Sequence, residues 1–142
     1  MKSPLFKSAL LTILSATVMS FSFKPGGEGF EIFTGNKLVV QQFGNSGSVQ
    51  NVQVNLRDAN NDLFIKYYHC GKAGRNRVIT VKDSQDGLLK TYHYDDSPTA
   101  NSVMKLPASE LSAITNGQVH QIKLYYSSSE LPKGRLLVTL SL

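Results

Sequence analysis

Short apolar runs separated by turn-forming residues recur along most of the chain. Val52, Val54 and Leu56 alternate with Gln53 and Asn55, the period of a half-buried strand. Leu136, Val138, Leu140 and Leu142 alternate with Leu137, Thr139 and Ser141 in the same way. Val119 to Tyr126 places His120, Ile122, Leu124 and Tyr126 on one face, with Gln121, Lys123 and Tyr125 on the other. Phe30–Phe33 and Leu38–Phe43 are strand candidates joined by Thr34-Gly35-Asn36-Lys37. Leu63 to Cys70 is nearly all apolar or aromatic, which predicts a strand covered on both faces.

Val78–Lys82 and Leu88–Tyr94 flank Asp83-Ser84-Gln85-Asp86-Gly87. That spacing predicts a hairpin whose type I turn is closed by a left-handed glycine. Ser102–Leu106 predicts a short strand. Ser109–Ile114 predicts a single helical turn, with Pro107 before it, Ser109 as N-cap and Asn116-Gly117 as its stop. The fold class expected is all-β: an antiparallel β-sandwich of Ig-like architecture, with about eight strands and one short helical turn. A Greek-key or up-and-down barrel is the rival arrangement. There is no tryptophan and only one cysteine, so the Ig-like reading rests on architecture alone.

The first residues break this pattern. Met1 to Lys7 carries Lys2 and Lys7 and no acid, Ser8 to Met19 is uncharged and largely apolar, and Ser20 and Ser22 follow. Charged, apolar and small-residue regions in that order read as a secretory signal. The run is shorter than the roughly 20 apolar residues of a membrane-spanning helix. The expected organisation is a signal peptide at 1–22, a flexible leader at 23–29 and one β-sandwich domain at 30–142. Export to the periplasm or the extracellular space follows, with no transmembrane segment after cleavage.

This division changes the meaning of the charge. The whole chain has 15 basic and 10 acidic side chains, a net charge of +5. Loss of Lys2 and Lys7 with the signal takes it to +3. The remaining bases are dispersed, without the basic stripe and aromatic readers of a nucleic-acid surface, so no nucleic-acid partner is expected. The single Cys70 excludes an intramolecular disulfide. In an oxidising compartment an unpaired thiol is expected to be buried or joined to another chain.

The candidate chemistry is sparse. Asp58, Asn60 and Asp62 have the alternating spacing of a calcium loop, but Leu63 and His69 stand where glycine and a bidentate glutamate belong. An inter-strand turn is the better reading. His69, His93 and His120, with Cys70, are the soft metal ligands, and paired strands would be needed to bring His69 and His93 together for copper or zinc. There is no His-x-His or Cys-x-x-Cys, so structural histidines and a buried thiol are the simpler expectation. No G-x-S-x-G occurs, and Gly71-Lys72-Ala73-Gly74-Arg75 lacks the spacing of a phosphate loop. No acid, base and nucleophile set can be assembled from adjacent positions, so no enzymatic activity and no cofactor are expected.

The tyrosines and one basic loop are more informative. Tyr67, Tyr68, Tyr92, Tyr94, Tyr125 and Tyr126 all fall in predicted strands. Outward rings among Tyr92, Tyr94 and Tyr125 would form an aromatic ridge able to stack on sugars or anchor a protein. The competing expectation is cross-strand packing within the sheets. Lys72, Arg75 and Arg77 form the densest basic group and could meet an acidic partner.

Tyr67-Tyr68-His69-Cys70-Gly71-Lys72, Arg77-Val78-Ile79-Thr80-Val81-Lys82-Asp83 and Leu124 to Pro132 continuing to Arg135-Leu136-Leu137 resemble small exported β-sandwich proteins of Gram-negative bacteria. The resemblance runs from Leu63 to the last residue. It implies export and a sandwich, and brings no catalytic residues with it. The function expected is an exported, non-enzymatic binding or assembly module meeting a protein or glycan at the cell envelope. The alternatives are a periplasmic copper or zinc protein using the strand histidines, and a glycan-binding module using outward tyrosines.

Overall fold

The computed structural model describes residues 27–44, 47–72, 74–96 and 102–142. The expected signal peptide, the leader before Gly27 and the loop around Pro98 lie outside them. The described chain forms nine strands in two sheets and one α-helix. The strands are β1 (Gly29–Thr34), β2 (Lys37–Phe43), β3 (Gln50–Gln53), β4 (Leu63–Tyr68), β5 (Arg77–Asp83), β6 (Leu88–Tyr94), β7 (Val103–Leu106), β8 (Gln121–Ser127) and β9 (Arg135–Ser141). The helix α1 (Ala108–Thr115) lies between β7 and β8. Among the described residues no helix is long and apolar enough to cross a membrane.

One sheet has the order β2-β1-β4-β7 and the other β3-β9-β8-β5-β6. The expectation of an antiparallel structure fails at one pair, because β3 runs parallel to β9. Tight turns force antiparallel neighbours only between consecutive strands. β4 to β8 and α1 lie between β3 and β9 in the chain, so no turn constrains their direction.

Both sheets turn their apolar alternates to one shared core. Phe30, Ile32, Val40, Leu63, Ile65, Met104 and Leu106 come from the four-stranded sheet, and Ile79, Val81, Ile122, Leu124, Val138 and Leu140 from the five-stranded one. A register shift between Leu124 and Tyr125 lets the consecutive residues Leu137 and Val138 both be buried. Strict alternation would have put one of them outside.

The helix starts at Ala108 with Pro107 as N-cap, not at Ser109. Pro107 has no side-chain donor or acceptor, and the cap is supplied from afar: the Ala108 N–H donates to Asp62 Oδ1 at 2.8 Å. That bond and the Lys105 ammonium, 3.2 Å from Asp62 Oδ2, hold the Asp62 carboxyl below its ordinary range. Asn116 and Gly117 end the helix in left-handed conformation, where the sequence placed the stop. The Asp83–Gly87 turn joins β5 and β6 as expected, but the left-handed residue is Asp86 rather than Gly87. Gly87 instead leaves room for the Asp83 carboxylate, which accepts the Gln85 and Gly87 N–H groups at 2.9 and 2.8 Å.

Candidate functional site

β4 stops at Tyr68, two residues before the predicted limit. His69 and Lys72 exchange backbone hydrogen bonds across Cys70 and Gly71, both at positive φ. This tight turn carries Cys70 out to solvent, so the expected burial of the thiol is corrected. His69 turns the other way, into the interior, and is 8% exposed.

There it enters a polar cluster that joins the two sheets. His69 Nε2 lies 2.8 Å from the Tyr126 hydroxyl and 3.2 Å from Ser128 Oγ. The tautomer protonated at Nδ1 lets Tyr126 donate to Nε2. The Tyr67 hydroxyl donates to Glu28 Oε1 at 2.6 Å, and its ring stacks on Tyr126 with centroids 4.1 Å apart. Gly74 is required beside this stack, because a Cβ there would stand 2.5 Å from the Tyr126 hydroxyl. Burial pushes the Tyr126 phenol up to about 12. Burial also lowers the His69 imidazole, against the opposing pull of Glu130 and Glu28. Glu130 is itself pushed up by burial, but N–H donors from Arg75 and its own backbone, with Ser128 and the Arg75 side chain, outweigh this and take it to about 2.

The cluster contains a serine, a histidine and two glutamates that no sequence spacing brings together. Its hydrogen bonds and ring contacts tie the two sheets together. Ser128 Oγ already accepts the Leu131 N–H at 3.1 Å, and Ser128 is 5% exposed. His69 Nδ1 stands 3.9 Å from Glu28 Oε1, beyond hydrogen-bond range. Neither cleft described below is lined by these residues.

The sequence-derived candidates are scattered. β4 and β6 lie in different sheets, so the strand pairing needed to join His69 to His93 does not form. His93 is exposed, paired with Val78 on the outer face of the five-stranded sheet. His120 precedes β8, is exposed, and does not share the buried face of Ile122, Leu124 and Tyr126. Among the described residues no group of three or more His, Cys, Asp and Glu side chains is placed to hold a metal ion. Asp58 and Asp62, from the calcium-like spacing, serve as caps: Asp58 locally, accepting the Asn60 N–H at 2.9 Å, and Asp62 at the distant start of α1.

Arg77 is buried, and its guanidinium donates to the Asp95 and Ser102 carbonyls. It is a clamp between chain segments, which corrects its assignment to an outward basic loop. Arg75 is exposed but paired with Glu130, its Nε 3.4 Å from Oε1; Lys72 is exposed. Tyr92 and Tyr94 pack against the core rather than outwards. Their cross-strand partners Ile79 and Arg77 are buried, so the whole Tyr92–Tyr94 face is internal. The Tyr94 hydroxyl donates to the Lys105 carbonyl at 2.7 Å, linking β6 of one sheet to β7 of the other. Of the three proposed outward tyrosines only Tyr125 faces out, under the Lys82 ammonium 4.7 Å from its ring centroid.

The outward aromatic surface lies on the other sheet. Cross-strand registers align Phe43, Gly29 and Tyr68 in one row, and Leu38, Phe33, Phe64 and Lys105 in another. Gln41, Glu31, Lys66 and Val103 form the row between. Gly29 has no side chain because the Phe43 ring covers it; a Cβ would meet that ring at once. Phe43 thereby reaches Tyr68, centroids 6.0 Å apart, and the Tyr68 hydroxyl donates to Glu31 Oε2 at 2.7 Å. The Lys66 ammonium sits 5.3 Å from the Phe33 centroid and that of Lys105 5.9 Å from Phe64. Phe33, Phe64, Val103 and Lys66 line a shallow depression of about 310 Å³. These phenylalanines were visible as strand residues, but their orientation depends on which strands pair. Alternation of Phe33 with Ile32, and of Phe64 with Leu63 and Ile65, was the signal available.

A second, larger cleft of about 600 Å³ lies where the segment after β3 meets the end of α1. Arg57, Asn116 and His120 are among its polar walls.

The fold and these surfaces define an all-β protein of two sheets sharing one core, with an aromatic outer face. No family model matches the chain, and no curated protein matches it.

Proposed function

We propose that this protein is an exported, non-enzymatic β-sandwich of Ig-like architecture that binds acidic glycans on the outer face of its four-stranded sheet. The strand order supports the architecture. β1, β4 and β7 stand as strands A, B and E of one Ig sheet, and β9, β8, β5 and β6 as G, F, C and C′ of the other. β2 is an addition at the edge beside β1, and β3 joins the second sheet alongside β9.

The observation that carries the binding reading is the row Phe33–Phe64 with lysines beside it on an outward face. Pyranose rings present C–H groups that lie flat on aromatic rings, while their hydroxyls need amides or charges at the rim. Asn36 and Gln41 supply amides near the rings, the Gln41 amide also donating to Glu31, and Lys66 supplies the cation, because Lys105 is already paired with Asp62. The Lys66 ammonium favours a uronate, since ammonium-to-carboxylate bonds are stronger than neutral ones, while the neighbouring Glu31 carboxylate is engaged by the Tyr68 hydroxyl and the Gln41 amide. The opposite sheet offers a single outward ring in the corresponding row: Tyr125, under Lys82, has Thr80 and Leu136 as its cross-strand partners, with no second aromatic residue in that row among the described residues.

The test is retention on immobilised polygalacturonate, with cellulose as the neutral control. The protein should be retained by the acidic polymer and released by salt. Phe64→Thr and Lys66→Gln should each weaken binding about tenfold, or ~1.4 kcal/mol. Phe64 is half-buried on the outer face, so circular dichroism should report an unchanged fold. Absence of retention, or unchanged retention of Phe64→Thr and Lys66→Gln, would overturn the proposal.

A further inference from the structure

The 600 Å³ cleft is separate from the aromatic face and shares no residue with it. Its size falls within the usual range of about 300–1,000 Å³ for small-molecule sites. Its apolar part is firm: Val54 and Leu56 are buried at 4% and 7% exposure, and Val119 packs against the core. Its charged side chain is Arg57, joined by the ionisable His120, and no aspartate or glutamate lines it. Among the described residues the Arg57 guanidinium and the His120 ring make no hydrogen bond or ion pair.

The neighbouring helix end opposes a negative ligand less than a fully uncapped C-terminus would. The Ser112 carbonyl accepts the Asn116 N–H, and the Thr115 carbonyl accepts those of Gln118 and Val119. Two of the last four carbonyls of α1 are therefore satisfied internally. A guanidinium carries five donors in a fork that matches a carboxylate. Here Arg57 lines the same cleft as Val54, Leu56 and Val119, and among the described residues nothing is paired to its guanidinium.

We infer that this cleft binds a small amphiphilic carboxylate, its chain against Val54, Leu56 and Val119 and its carboxylate on Arg57, with His120 as a second donor. The site is independent of glycan binding at Phe33 and Phe64.

Amide chemical shifts during titration with sodium octanoate test this, with octanamide as the uncharged control. Octanoate should shift residues 54–57 and 116–120 saturably, with a Kd on the order of millimolar for so small a ligand. Octanamide should bind about tenfold more weakly, and Arg57→Gln should cost the same factor, as expected for one charge-assisted contact. His120→Gln should cost a smaller factor, about threefold. Phe64→Thr should leave the titration unchanged, so loss of the glycan site and loss of this one are separable. Equal binding of octanamide, an unaffected Arg57→Gln variant, or shifts confined to the aromatic face would each overturn the inference. Both cleft variants change exposed side chains and leave the fold intact.

Discussion

The two ends of the interior are closed in different ways. At the helix end, Leu63 and Leu106 pair across strands, Ile122 and Leu140 do the same, and Leu111 of α1 is fully buried with them in the core. At the other end, Tyr67, His69, Tyr126 and Ser128 fill the space with rings and hydroxyls tied to one another and to Glu28. The first end is held by apolar area, which has no directional requirement. The second is held by hydrogen bonds whose partners must all be present, because a buried polar group left alone is costly. Volume should therefore govern mutations at the helix end. Chemistry should govern them at the tyrosine end, where acidity matters too.

Removing volume at the helix end gives the largest expected effect. Leu111→Ala should cost about 2–5 kcal/mol, the range for emptying a fully buried leucine site. The check is a urea denaturation midpoint measured against the parent protein. A loss below about 1 kcal/mol would mean that this end collapses around the cavity, and the contrast between the ends would weaken.

At the tyrosine end a change without volume loss should matter. Tyr126→Phe keeps the stack on Tyr67 and removes only the hydroxyl bonded to His69. The imidazole then keeps only the longer contact to Ser128 Oγ at 3.2 Å, whose hydroxyl can donate to Nε2 while its oxygen accepts the Leu131 N–H. The cost should be about 1–3 kcal/mol by the same urea measurement. A neutral result would show that the ring stack alone holds this end.

The same contrast separates what the sequence discloses from what it does not. At the helix end, period-two alternation in residues 119–126 and 136–142, with Asn116-Gly117 as a stop, places strands and helix within a residue or two. The cap of α1 was not legible, because Asp62 is 46 residues from Ala108. At the tyrosine end, position along a strand was legible but company was not. His69 reads as one more strand residue until β4 and β8 are known to face each other from different sheets. The same gap misassigned Tyr92 and Tyr94. They do share a face, but the identity of that face follows from pairing with buried Ile79 and Arg77. Arg77 itself looked like loop charge because its acceptors are backbone carbonyls, which no sequence pattern marks.

Acidification gives the smallest and most selective contrast. Burial lowers the His69 imidazole from its ordinary value of 6.5, so the unfolded chain takes up a proton more readily than the folded one. The stability tied to the neutral ring is complete above pH 6.5 and is lost as pH falls from there through the lower folded value. Protonation would also end the ability of Nε2 to accept from Tyr126. The depressed carboxyl of Glu130 acts in a separate window: its contribution is present above the ordinary 4.5 and fades as pH falls towards about 2. A stability profile should therefore show a first decline below pH 6.5 and a second below 4.5. His69→Gln should lower stability at neutral pH and flatten the first decline only, whereas Leu111→Ala should lower the whole curve and keep both. If the His69→Gln curve keeps its first decline, another group titrates there and the acid sensitivity does not belong to the tyrosine end.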